Sequence, residues 1–209
     1  MRIIPDSISC LVLLLLSELI GRSLSRPAHY SSTRSHTHNH ALCPLLGSMV
    51  LHVDRLMNLS RKLHELTDEE LNLISASDHR LDSLLEIPHS AAAFSSLKVN
   101  ESLSLLYSFS DSYRFHMNWL KTGRGNVSLP TQPAEGASRH LQHLTHLLNS
   151  SLNQLQEEVP QASLPSLPVV SSAFEALRFS VEVSEKLQPL SIWMKSSIRF
   201  IQTRLGCRR

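Results

Sequence analysis

Glycine is scarce in this chain, with 6 among 209 residues, and only 5% of the residues are aromatic. A sheet built at this length would call on more turn glycines and more aromatic strand residues, so the composition points to helices with a leucine core and serine on their polar faces. Charge of neither sign dominates: Lys and Arg number 20 against 18 Asp and Glu, interspersed, for a net +2. That balance gives no reason to expect a nucleic-acid partner. There is no Gly-rich phosphate loop, no Gly-x-Ser-x-Gly and no His-Glu-x-x-His, so the parts of a hydrolase or nucleotide enzyme are missing. Two histidine trios have chelating spacing, His36, His38, His40 and His140, His143, His146. The first sits in a polar stretch and the second has no acidic or thiolate companion, so neither a metal nor another cofactor is expected.

Long apolar runs are also lacking. The run Leu11 to Leu16 falls far short of the roughly 20 residues of a membrane span. It follows Met1 and Arg2 and precedes small residues at Gly21, Ser23 and Ser25, the pattern of a signal peptide over 1–25 with cleavage within 21–25. The expectation is a secreted, extracellular chain of about 185 residues, enough for one domain without membrane insertion.

Residues 26–44, rich in Ser, His and Arg, carry no periodicity and read as a flexible tail. From residue 45 the apolar spacing becomes helical. One stripe, Leu46, Met49, Val53, Leu56, Leu63 and Leu66, predicts a helix over about 45–66, and Thr67-Asp68-Glu69-Glu70 resembles a capping box opening a further short turn. A second stripe, Val99, Leu103, Leu106, Tyr113, Met117 and Leu120, predicts 98–120, stopped by Thr122-Gly123-Arg124-Gly125. A third, Leu141, Leu144, Leu148, Leu152, Leu155 and Val159, predicts 138–158. The last, from Phe174 and Leu177 through Val181, Leu187, Leu190, Met194, Ile198 and Ile201 to Leu205, predicts 172–205.

Loop lengths then order the helices. The first connection is long, the second hairpin-like, and the third carries Pro160, Pro165 and Pro168. In polyproline geometry that third connection reaches roughly 35 Å, about the length of a 22-residue helix. Helices one and two therefore run parallel and three and four run back: an all-α, long-chain, up-up-down-down four-helix bundle over 45–209. In that topology the start of the first helix lies beside the end of the last, where Cys43 and Cys207 stand; Cys10 belongs to the signal peptide. A bridge between them is expected, with free thiols or an intermolecular bridge as the alternatives. Asn58, Asn100, Asn126 and Asn149 each open a glycosylation sequon.

With the bundle in place, three motifs carry a resemblance. They are Ser171-Ser172-Ala173-Phe174 with Leu177-Arg178 and Trp193, ending in Thr203-Arg204-Leu205; Asp78-His79-Arg80-Leu81-Asp82-Ser83-Leu84; and Trp119-Leu120. Together they resemble the interleukin-11 family, of the interleukin-6 group of helical cytokines, over roughly residues 45–205. The resemblance implies a cytokine, not an enzyme, monomeric before receptor engagement. Such a ligand engages an interleukin-11 receptor alpha-type chain and assembles glycoprotein 130 to trigger JAK/STAT signalling. It implies an alpha-receptor patch at Pro88, His89, Ser90, Ala91 and Ala92 with Lys195, Arg199 and Arg204. A second patch, for the signalling receptor, falls on Arg61, Lys62, His143 and Leu147, and a third on Phe174 and Arg178. The chain departs from the family pattern with Phe174 in place of Trp, His143 and His146 in place of Arg, Ser196 in place of Arg and Ile192 in place of Asp. Two alternatives stay open: a sister cytokine of the leukaemia inhibitory or ciliary neurotrophic type, whose last helix carries Lys where this chain has Leu177, and a secreted amphipathic-helix protein that binds lipid.

Overall fold

The computed structural model describes residues 32–75, 81–87, 91–161 and 165–207; the signal-peptide segment lies outside them. The contacts divide the chain after His36. Of the first unit only 32–36, the opening of a helix, are described; the second unit, Thr37–Arg209, carries the bundle. The elements are α1 (Ser32–Ser60), α2 (Asp68–Ser75), α3 (Ala91–Ser96), α4 (Val99–Asn126), α5 (Gln132–Gln154) and α6 (Ala173–Arg204). No strand occurs among the described residues.

Cross-helix contacts give the directions. Cys43 is bridged to Cys207, Asp54 meets Lys195 at 2.5 Å, and Ser184 Oγ donates to the Ser60 carbonyl at 2.6 Å. Numbers rise along α1 as they fall along α6, so these two helices are antiparallel. Arg204 on the Leu97 carbonyl, Phe109 on Trp193 at 5.1 Å and Trp119 on Phe179 at 5.0 Å run α4 against α6 in the same way. His52 on His140 and Leu59 against Gly136 do so for α1 and α5. The result is the up-up-down-down bundle that the loop lengths imply. The disulfide closes it, with the two Cα atoms 5.5 Å apart across a sequence separation of 164. In the chain-entropy model a loop that long gives on the order of 5 kcal/mol of stabilisation.

The predicted stripes form the core. Leu46, Met49, Leu56, Leu103, Leu106, Met117, Leu120, Leu141, Leu144, Leu148, Leu187, Leu190, Met194 and Ile198 are fully buried. Each contributes about 1.5–3 kcal/mol of transfer free energy. Leu66, Leu155 and Leu205 are only half-buried because the bundle frays at its ends.

Several expectations need correction. Helix α1 opens at Ser32 instead of 45, taking in much of the stretch read as a flexible tail, and ends at Ser60. Leu42 is fully buried and Cys43 is bridged, so a helical turn is already anchored there, and extending it backwards carries no nucleation cost. The capping box holds: Thr67 N donates to Glu70 Oε2 at 2.8 Å, and α2 follows. Helix α5 starts earlier than predicted, with Pro in its first turn, and stops at Gln154.

Helix α4 does not stop at Thr122-Gly123-Arg124-Gly125 but runs through to Asn126. Gly123 is a packing glycine: a Cβ there would stand 2.5 Å from Val170 Cγ2 and 2.9 Å from its Cβ, so the last crossover lies against the bare backbone. Arg124, 3% exposed, donates to the carbonyls of Leu63 and Pro130 and to Ser180 Oγ at 2.7–2.8 Å. Serine also departs from expectation, since nine serines are buried among the described residues. Ser110, Ser151, Ser180 and Ser191 each return their hydroxyl to the carbonyl four residues back, which satisfies them and lets helices approach closely.

The first crossover is held from two sides. Glu182 accepts from Leu81 N at 2.5 Å and Lys186 donates to the Leu81 carbonyl at 3.3 Å. His116, fully buried in α4, bonds Ser83 Oγ at 2.8 Å and the Ser112 carbonyl at 2.7 Å. A carbonyl only accepts, so Nδ1 carries the hydrogen and Nε2 accepts from the Ser83 hydroxyl in the neutral ring. Phe94 of α3 packs edge-on to Trp193 at 5.5 Å and so seats the end of this crossover on α6.

Replacing Gly123 by Ala should cost about 1–3 kcal/mol in denaturant unfolding, despite Ala's better helix propensity. Adding Val170→Ala should recover part of that loss; an unrelieved double variant would contradict this packing. Burial is the leading cause holding His52, His64, His116 and His140 below the ordinary histidine value. The folded state then binds fewer protons than the unfolded, so stability is full above about pH 6.5 and declines as pH falls through that value. Unfolding midpoints should drop between about pH 7.5 and 5.5, less so in His116→Gln; a flat or rising profile would contradict this.

Candidate functional site

The start of α6 is built by short-range chemistry. Ser172 caps it, its Oγ accepting from Glu175 N at 3.2 Å, while Ser171 gives both its backbone N–H and its hydroxyl to Glu175 Oε2 at 2.8 and 2.7 Å. The Ser171 hydroxyl, then its backbone N–H, hold the Glu175 carboxyl below its usual range. Just ahead, the crossover is tied to α4, with Trp119 Nε1 donating to the Pro168 carbonyl at 2.9 Å and Val170 seated on Gly123. Phe174 therefore stands on a fixed turn, and it is 57% exposed, outside the stripe to which its spacing assigned it. Val169, 86% exposed, is a second apolar side chain on the approach to this turn that sequence reasoning passed over. Arg178 is buried instead, its guanidinium 4.9 Å above the Phe179 ring. Phe174 and Arg178 thus do not form one exposed pair.

Across α1 and α5 lies a second surface. Arg61 and Lys62 are exposed in the turn after α1, His143 is exposed on α5, and Leu147 is half-buried against the core. The structure adds His52, which carries no sequence signal because its partners are far along the chain. Its Nδ1 lies 3.0 Å from Nδ1 of His140, and its ring stacks on His143 at 5.0 Å. His146 is exposed on the same helix. Burial lowers the pKa of His52, aided by His143; burial also leads for His140, followed by His52, His143, Arg55 and Arg139.

The third surface is the far half of α6. Lys195 is paired with Asp54, and Arg204 donates to the Leu97 carbonyl and lies 5.7 Å over the Phe200 ring. Arg199 is exposed with no ion pair among the described residues. Ile192, 52% exposed, and Ser196 lie nearby on the helix. Pro88, His89 and Ser90 fall outside the described residues, as do Asp78, His79 and Arg80; Ala91 and Ala92 open α3. Phe94, on α3, meets Trp193 of α6, so the start of α3 is brought to this half of α6.

Of the sequons, Asn58 and Asn126 are exposed, Asn100 donates to Glu157 Oε1 at 2.8 Å, and Asn149 accepts from Asn153 at 3.0 Å. Ser60, Ser102 and Ser151, which complete three of them, are fully buried, so those serines also serve the packing.

The side chains that stand out on these three surfaces are cations, imidazoles and exposed apolar residues. No curated protein matches this chain. A family model described as Interleukin 11 matches residues 35–205, a span that covers α2 to α6 and nearly all of α1. The chain belongs to the interleukin 11 family of cytokines.

Proposed function

We propose that the protein is a secreted ligand that works by assembly. It binds an interleukin-11 receptor alpha-type chain through α3 and the far half of α6, and recruits glycoprotein 130 through two further faces, so starting JAK/STAT signalling. The observation that carries this reading is Phe174, a large aromatic left 57% exposed on a capped and strapped helix start. Exposing a phenyl ring on rigid backbone forfeits burial energy within the monomer, and aromatic anchors of this kind often dominate an interface.

Exposure and pairing separate the residues within each patch. In the alpha-receptor patch Arg199 is the cation open to a partner, since Lys195 and Arg204 already have intramolecular ones. In the third patch Phe174 acts with Val169, and Arg178 supports the turn from beneath by packing on Phe179. The second patch spans Arg61, Lys62, His143 and Leu147, with His52 beneath His143.

Surface plasmon resonance with purified receptor ectodomains separates these roles. Phe174→Ala should keep alpha-receptor affinity within about two-fold yet lose the assembly with a second glycoprotein 130, a loss of about 2 kcal/mol or more. Arg199→Ala should weaken alpha-receptor binding itself. Failure of the unmodified protein to bind the alpha receptor would overturn the assignment of partner, and an unchanged assembly in Phe174→Ala would overturn the third face.

A further inference from the structure

Between the end of α1 and the first half of α5 runs a groove of about 550 Å³, lined by Arg55, Asn58, Leu59, Arg61, Lys62 and His140. Its lining contains no acidic residue. Arg55, Arg61 and Lys62 are exposed and have no ion pair among the described residues. Asp54 is engaged with Lys195 at 2.5 Å and Glu135 with Arg139 at 3.1 Å, and Glu65, exposed beyond Lys62, is not part of the lining. Four groups that are or can become cationic therefore converge on one concavity with no counter-charge in its lining.

Nor does the groove hold an apolar anchor. Its one hydrophobic lining residue, Leu59, is half-buried, and the exposed apolar side chains Leu51, Phe174 and Ile192 lie outside its lining. Protein interfaces draw most of their energy from desolvated aromatic or aliphatic centres. A concave array of long cationic side chains without such a centre suits a partner whose own charge is dense and repeated. We propose that this groove binds a sulfated polysaccharide, and that the histidines behind it make the binding tighter in acid.

The acid response arises from His52 and His140, whose rings face each other across α1 and α5. The facing Nδ1 atoms of His52 and His140, 3.0 Å apart, share a single hydrogen at neutral pH, one donating and the other accepting. Charging both rings sets two N–H groups against each other beside Arg55 on α1 and Arg139 on α5. The charged groups that act on the two rings are all cationic, and Asp54 and Glu135 are already paired with Lys195 and Arg139. A bound polyanion supplies the missing counter-charge, so it favours the protonated rings, and by linkage its affinity rises as pH falls below about 6.5. The groove shares Arg61 and Lys62 with the surface proposed for glycoprotein 130, and a polysaccharide there would compete with that receptor. Asn58 lines it too, so a glycan on this sequon would cover it.

The test uses the full secreted chain in an Asn58→Gln background, with binding to size-defined heparin oligosaccharides measured against salt and pH. Replacing Arg55, Arg61 and Lys62 together by Ser should weaken binding about ten-fold or more and flatten the salt dependence by roughly two units of slope. A charge-matched variant with Lys98, Arg114 and Lys121 replaced by Ser should bind nearly as the parent does. Affinity should be about three-fold higher at pH 5.6 than at pH 7.4 in the parent, and level in His52→Gln/His140→Gln. Equal losses in the two triple variants would reduce the effect to net charge and overturn the site. Displacement by inorganic sulfate at matched ionic strength as effective as by the oligosaccharide would overturn the polysaccharide as occupant. If the groove variant lost glycoprotein 130 and kept heparin, the groove would belong to the receptor alone.

Discussion

A buried guanidinium holds one end of this bundle together. Up-up-down-down topology requires two long crossovers, and each must be fastened where it leaves and rejoins a helix. Arg124 does this from inside α4, reaching the chain after α1 through the Leu63 carbonyl, the α4–α5 turn through Pro130 and α6 through Ser180. Its partners are neutral oxygens. Burial pulls its pKa down and only Glu65 opposes that, so the group is held by hydrogen bonds more than by a counter-ion. One helical position away, Gly123 admits Val170, and one turn earlier Trp119 fixes Pro168. At the other end the Cys43–Cys207 bridge binds α6 to α1. The last helix is thus pinned at both ends, which is what a display scaffold requires.

The sequence made the helical stripes legible because burial repeats with the helix period and leucine marks it. It also made the topology legible, since loop lengths and the two cysteines constrain direction without any coordinates. It misled where a residue's role depends on a distant neighbour. Gly123 looked like a helix stop because the Val170 that needs its bare backbone lies in the last crossover. Serines looked like surface residues because nothing local says which of them face a neighbouring helix. His52 carried no signal at all, as its meaning comes from His140 and His143 on another helix. Among the site residues, the resemblance grouped Phe174 with Arg178, whereas the arginine is buried with its guanidinium over the Phe179 ring.

The three surfaces differ in physical character. The far half of α6 offers cations that are mostly paired, around an exposed Ile192. The α1/α5 face offers unpaired cations backed by imidazoles. The start of α6 offers apolar side chains on a rigid turn. That diversity fits one small molecule engaging chemically different partners. The apolar helix faces, by contrast, are turned on one another, which removes the ground for a lipid carrier with open amphipathic helices.

Whether one molecule presents separate faces to separate receptors is decided by hydrogen–deuterium exchange of the protein alone, with the alpha-receptor ectodomain, and with glycoprotein 130 added. The alpha receptor should slow exchange around 91–96 and in the second half of α6, and glycoprotein 130 should then protect 58–62, 140–147 and 169–178. Protection by both receptors confined to one shared face would contradict that division of the surface.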